Sequence, residues 1–165
     1  MKNQMIKAAL CGTALLALGL GATSAQAATA TAFAKAKILK QITVTKSADL
    51  DFGTIVTGAA ASTVTVSSAG VRTCGAGLTC TNPATAAAFG VTGTSGAVVT
   101  LAAAGPVTLT GSNGGTMSAT LNTSAATMTL TAGPDPFTVG GVLSVGANQT
   151  DGVYQGSFTV TVDYQ

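Results

Sequence analysis

From Val64 onward, apolar residues alternate with Thr and Ser in short runs. Val64-Thr65-Val66, Val98-Val99-Thr100-Leu101, Val107-Thr108-Leu109 and Met117-Ser118-Ala119-Thr120-Leu121 are examples, followed by Met128-Thr129-Leu130, Phe137-Thr138-Val139 and Val142-Leu143-Ser144-Val145. A period of two puts successive side chains on opposite faces, so each run predicts a half-buried strand. Thr and Val suit such a pleated surface. The runs are separated by Ser112-Asn113-Gly114-Gly115, Gly133-Pro134-Asp135-Pro136 and Gly140-Gly141. Short strands at this spacing, with turn residues between them, predict an all-β sandwich. No segment sustains a helical period, and Ala84–Ala88 has length for one helical turn.

The two ends of the body carry the clearest patterns. At the C-terminus Tyr154, Gly156, Phe158, Val160, Val162 and Tyr164 share one face, and Gln155, Ser157, Thr159, Thr161, Asp163 and Gln165 share the other. The alternation predicts one final strand buried on one side. Burial of Phe158, Val160, Val162 and Tyr164 contributes roughly 6–12 kcal/mol gross, an upper bound. At the other end, 28–46 has no Gly or Pro, and an extended chain there puts Ala30, Ala32, Ala34, Ala36 and Ile38 opposite Thr29, Thr31, Phe33, Lys35 and Lys37. Ile42 and Val44 continue an alternation. The segment reads either as an extension that reaches into a neighbour or as the first strand of its own sandwich.

Residues 1–27 have the layout of a cleaved secretory signal. Lys2 and Lys7 precede the apolar stretch Ala8–Ala22, and Ala25-Gln26-Ala27 is an A-x-A site that predicts cleavage between Ala27 and Ala28. The apolar run is shorter than the roughly 20 residues of a membrane span, so no span is expected in the mature chain. Three regions follow: signal 1–27, extension or first strand 28–46, and sandwich 47–165. Export exposes the chain to an oxidising compartment, where the pair in Cys74-Gly-Ala-Gly-Leu-Thr-Cys80 predicts a disulfide. Closing so small a ring contributes about 2 kcal/mol. A redox or metal pair fits less well, because the spacing is not C-x-x-C and the chain has no His.

Composition narrows the function. The 165 residues are 47% hydrophobic but only 7% charged, with neither Trp nor His. Past Ala27 the cations are Lys35, Lys37, Lys40, Lys46 and Arg72, and the anions are Asp49, Asp51, Asp135, Asp151 and Asp163. They balance, so the body tolerates close self-association and offers no footprint for nucleic acid. The usual general base and commonest metal ligand are missing, and five dispersed Asp make no paired carboxylates. No catalysis, metal or cofactor is expected. Asp49 and Asp51 share a strand face that fits a cation, but charged punctuation beside Leu50 and Phe52 is the simpler reading.

Four segments taken together resemble a known family. They are Asp49-Leu50-Asp51-Phe52-Gly53, Ala88-Phe89-Gly90-Val91-Thr92-Gly93, the stretch from Val139 to Val145, and the stretch from Gly152 to Tyr164. In order and spacing they are similar to the small exported bacterial proteins of the domain of unknown function 4402 family, which has no assigned chemistry. The closing stretch, with Gly152, Tyr154, Gly156 and Tyr164, also resembles that of chaperone–usher pilins and spore coat U type subunits. That resemblance implies an immunoglobulin-like, pilin-like sandwich lacking one strand. A periplasmic chaperone fills the groove first, and the N-terminal extension of the next subunit replaces it after passage through an outer-membrane usher. The donor residues would be Ala30, Ala32, Phe33, Ala34, Ala36 and Ile38, although donors usually insert larger apolar side chains. Two functions are therefore expected. One is an exported structural subunit of a cell-surface fibre for adhesion or biofilm, self-associating through strands. The other is a self-contained secreted sandwich that binds a surface glycan or coat component.

Overall fold

A computed structural model describes residues 26–165. Most of the predicted signal therefore lies outside the described residues. Among the described residues thirteen strands are present: β1 (Thr43–Ala48), β2 (Thr54–Val56), β3 (Ser62–Val66), β4 (Arg72–Cys74), β5 (Thr79–Thr81), β6 (Ala87–Thr92), β7 (Val98–Ala103), β8 (Val107–Gly111), β9 (Thr116–Thr123), β10 (Thr127–Thr129), β11 (Asp135–Val145), β12 (Tyr154–Gln155) and β13 (Val160–Tyr164). Every strand pairing is antiparallel. The fold is all-β, as the alternation predicted. Among the described residues, 26–36 belong to one unit and Lys37–Gln165 to the other.

The large sheet runs β1-β6-β11-β9-β8-β12, with β3 and β4 branching from β11. Its centre is β11, whose 11 residues are about twice the usual strand length. Along one edge Asp135–Val139 pairs with β6 and Gly141–Val145 pairs with β3, while the opposite edge pairs with β9. Two sequence expectations fail here. Gly140-Gly141 is not a turn, because both residues are buried inside the strand where it changes partner. Asp135-Pro136 opens the strand instead of separating it from its predecessor. The buried Asp135 carboxylate accepts from the Thr131 N–H at 2.7 Å and the Thr131 hydroxyl at 2.8 Å, which folds the turn just before it. The Ala84–Ala88 helical turn is also replaced by extended chain. Thr85 exchanges two backbone bonds of 2.9 Å with Asp51, and β6 starts at Ala87.

Two apolar clusters divide the sheet. Over its first half lies the small sheet β10-β7-β13, and Val99, Leu101, Leu130 and Val162 face Ala87, Val91, Phe137 and Val139. Phe89 stacks on Phe137 at 5.2 Å and meets Phe158 edge-on at 6.3 Å. Over the second half the sheet curls into a half-barrel around Phe52, Val64, Val66, Ala119, Leu143 and Val145. The pair β2-β5 and the disulfide Cys74–Cys80 cover this cluster.

The closing alternation spans two strands in different sheets, not one. β12 pairs with β8 in the large sheet, the chain crosses over, and β13 pairs with β7 in the small one. A strand that changes sheets is a common way to turn the corner of a sandwich. Gly156 permits the crossing, since a Cβ there would run into the Thr108 carbonyl oxygen. Phe158, Val160, Val162 and Tyr164 do pack into the first cluster, while Tyr154 lies in the second half of the large sheet.

Both clusters should be essential. Leu130→Ala in the first and Leu143→Ala in the second should each lower stability by about 2–5 kcal/mol. Urea unfolding of the two variants checks this, and an unchanged midpoint for either would mean its cluster is not a core.

Candidate assembly site, an unclosed half-barrel

The half-barrel around the second cluster does not close. One wall is 53–57, containing β2; the other is 149–154, leading into β12. Between them lies a groove of about 590 Å³ whose floor includes Leu109, Met117, Leu143 and Val145. These four share one face because β8, β9 and β11 pair in register, with Leu109 opposite Met117 and Leu143 opposite Ala119. At one end the Asn148 N–H donates to the Gly58 carbonyl at 3.2 Å and ties the walls together.

Each wall is fixed from behind. Arg72 of β4 extends its guanidinium under the first wall and donates from Nη1 to the carbonyls of Phe52 and Thr81, both at 3.0 Å. Its acceptors are peptide carbonyls, so it acts as a clip joining the chain before β2 to the end of β5. Gly53, at φ +74°, leaves the space that the guanidinium occupies. Asn82 adds a bond from Nδ2 to Thr54 Oγ1 at 2.9 Å. In the second wall, Tyr154 Oη accepts from Gln149 Nε2 at 2.8 Å and donates to the Thr150 carbonyl at 2.7 Å. Gln149 Oε1 takes the Gly146 N–H at 3.3 Å.

What the walls lack is a partner on the groove side. Among the described residues β2 pairs only with β5, and β12 only with β8. Among the described residues, no other backbone hydrogen bond reaches 54–57. The rim is acidic: Asp51 and Asp151 line the groove and, among the described residues, no Lys or Arg does. Asp51 Oδ1 accepts the Gly53 N–H at 2.8 Å, while Asp49 pairs with Lys46 at 2.6 Å on the surface. The two carboxylates considered for a shared cation thus take separate partners.

Another edge without a partner among the described residues belongs to β13, which pairs there only with β7; its Thr161 and Asp163 are exposed. Its last residue is anchored: Tyr164 Oη accepts the Thr94 N–H at 2.8 Å and donates to the Lys40 carbonyl at 2.6 Å. The Lys40 N–H in turn donates to Thr94 Oγ1 at 2.7 Å.

The sequence-predicted residues are therefore scattered. Cys74 and Cys80 are joined; Tyr154 lines the groove; Gly156 marks the crossover; Phe158, Val160, Val162 and Tyr164 serve the first cluster. Of the segment 28–46, Thr43–Lys46 opens β1 and pairs with β6. Ala27, Ala28, Ala30, Ala32, Phe33, Ala34, Ala36 and Ile38 belong to no strand and are exposed, with Phe33 and Ile38 each at 92%. Sequence reasoning missed the floor residues Leu109 and Met117 and the clip Arg72. The available signal was Arg72 itself, the sole Arg of the chain, standing just ahead of Cys74.

Residues 42–164 match the family model described as domain of unknown function (DUF4402). The chain belongs to the DUF4402 family. The matched stretch starts one residue before β1 and ends on the last residue of β13. The groove and both its walls thus lie within the DUF4402 domain, while 26–41 precedes it. No curated protein matches the chain in sequence.

If Arg72 clips the wall of this DUF4402 domain, Arg72→Ala leaves two carbonyls without their donor. Stability should fall by about 1–3 kcal/mol, and limited proteolysis should cut 50–58 faster. Unchanged stability together with unchanged cleavage would contradict the role.

Proposed function

We propose that this DUF4402 protein is an exported, non-catalytic subunit of a cell-surface fibre, used in adhesion or biofilm. Successive subunits are held together by a strand lent from one to the next. The observation that carries the reading is a pairing of opposites: strand edges without partners beside apolar side chains, and an N-terminal stretch, 26–42, without a strand of its own. Bare edges of this kind invite association with other chains. A segment from another copy satisfies their backbone groups and covers the apolar side chains in one step. Each subunit gives one segment and accepts one, a head-to-tail contact that does not close and therefore grows into a filament. The signal sequence delivers the chain to the periplasm, where a chaperone protects the open seam until an outer-membrane usher passes the subunit to the surface. The even charge balance past Ala27 supports dense self-packing.

A specific observation favours a second reading. β1 pairs with β6 inside its own chain, and the groove volume of about 590 Å³ lies in the small-ligand range. A self-contained secreted sandwich that binds a surface glycan or coat component has these properties too. Deleting 28–39 separates the two, because it spares Lys40 and β1. Under the fibre reading the exported deletion variant runs as a monomer in mild SDS and gives no filaments by electron microscopy. Filaments of normal length from the deletion variant would overturn it.

A further inference from the structure

We infer that the acceptor site is the groove between β2 and β12, not the outer edge of β13, and that its occupant is 30–38 of a second copy. This rests on the fibre reading and specifies where and how the lent segment sits. The groove has the short strand β2 along one wall, with no hydrogen-bond partner on the groove side among the described residues, Tyr154 of β12 at the end of the other wall, and an apolar floor of Leu109, Met117, Leu143 and Val145. A single extended segment entering it pairs with the free edge of β2 and covers the apolar floor in one step. The outer edge of β13 offers a pairing edge too, but its apolar side chains are already committed to the first cluster and leave no floor to cover.

Charge and spacing select the occupant and its orientation. The groove is lined by two acids, Asp51 and Asp151, and by no base. The N-terminal stretch carries Lys35, Lys37 and Lys40 and no acid before Asp49. In an extended segment Ala30, Ala32, Ala34, Ala36 and Ile38 form one uncharged face, which lies on the floor. Lys35 and Lys37 then point away from the floor, and their long stems let the ammonium groups reach the acidic rims. The small Ala side chains suit a floor whose partly buried Leu109 and Met117 already stand up into the space. Ile38 is the one large anchor of that face, two residues before the point where Lys40 is held to its own domain by Thr94 and Tyr164. Nine extended residues span roughly 30 Å, well over the length of either five- or six-residue wall.

Site-directed cross-linking tests the assignment on the exported, assembled protein. Val56 is a handle on the first wall, being 57% exposed, and Thr161 is a handle on the exposed side of β13. Subunits carrying Phe33→Cys are co-expressed with subunits carrying either Val56→Cys or Thr161→Cys, and a short bis-maleimide is added to the fibres. The expected result is a dimer band with Val56→Cys at least about tenfold stronger than with Thr161→Cys. The reverse ratio overturns the groove assignment while leaving the fibre reading standing. A cross-link formed within one chain carrying both Phe33→Cys and Val56→Cys overturns the second-copy occupant. Absence of fibres from the unmodified protein overturns both the inference and the reading beneath it. Orientation has its own test: Ala34→Asp, which drives a carboxylate onto the apolar floor, should cut fibre yield by about tenfold or more. Thr31→Asp, on the opposite face, should leave yield within about twofold. Equal effects of the two would overturn the assigned face.

Discussion

Every backbone N–H and C=O of a β-sheet must find a partner, and a sheet that curls without closing leaves two rows of them unspent. That constraint organises this molecule. The second half of the large sheet bends far enough to bury Phe52, Val64, Val66, Leu143 and Val145, yet its end strand β12 and the strand β2 of the separate pair β2-β5 are not hydrogen-bonded to each other. The gap is open over apolar side chains, so water serves the edges but serves the floor poorly. The remaining features follow from holding such a gap in shape. Arg72 and the Cys74–Cys80 bond fix one wall, while Tyr154 with Gln149 fixes the other.

The two clusters divide the work. The first is a conventional sandwich core, sealed by β7, β10 and β13, with an aromatic trio of Phe89, Phe137 and Phe158. The second is incomplete, and β11 belongs to both. Because β11 trades β6 for β3 midway, one continuous strand transmits the rigidity of the sealed half to the open half. A groove held by a rigid scaffold is pre-organised, so under the proposed assembly less ordering is left to be done on association.

The sequence made the strands legible but not the seam. β3, β7, β8, β9 and β10 coincide within a residue or two with Thr/Val alternations, because a half-buried strand writes its burial directly into a period of two. Gly140-Gly141 reads as a turn, but glycine also serves where one strand is pressed by others, and composition does not separate the cases. The alternation from Tyr154 to Tyr164 keeps its phase across a change of sheet, so the pattern alone hides the corner at Gly156. The groove was less legible still. Its lining comes from two stretches, 50–57 and 149–154, and from the separate floor residues Leu109, Met117, Leu143 and Val145, which the pairing of β8, β9 and β11 brings onto one face. Arg72 was visible as a lone guanidinium, but its carbonyl partners, Phe52 and Thr81, lie on segments that sequence spacing does not connect to it.

Membership of the DUF4402 family brings no chemistry with it, so the function rests on the physical claim that the open seam is finished by another chain. Amide hydrogen exchange, compared between dispersed subunits and assembled material, addresses that claim most directly. The account predicts fast exchange throughout 28–39 and at those amides of 54–57 that β5 leaves unpaired in the dispersed subunit, with strong protection of both on assembly and little change along β13. Protection of those 54–57 amides already complete in the dispersed subunit, or gained on assembly only along β13, would contradict it.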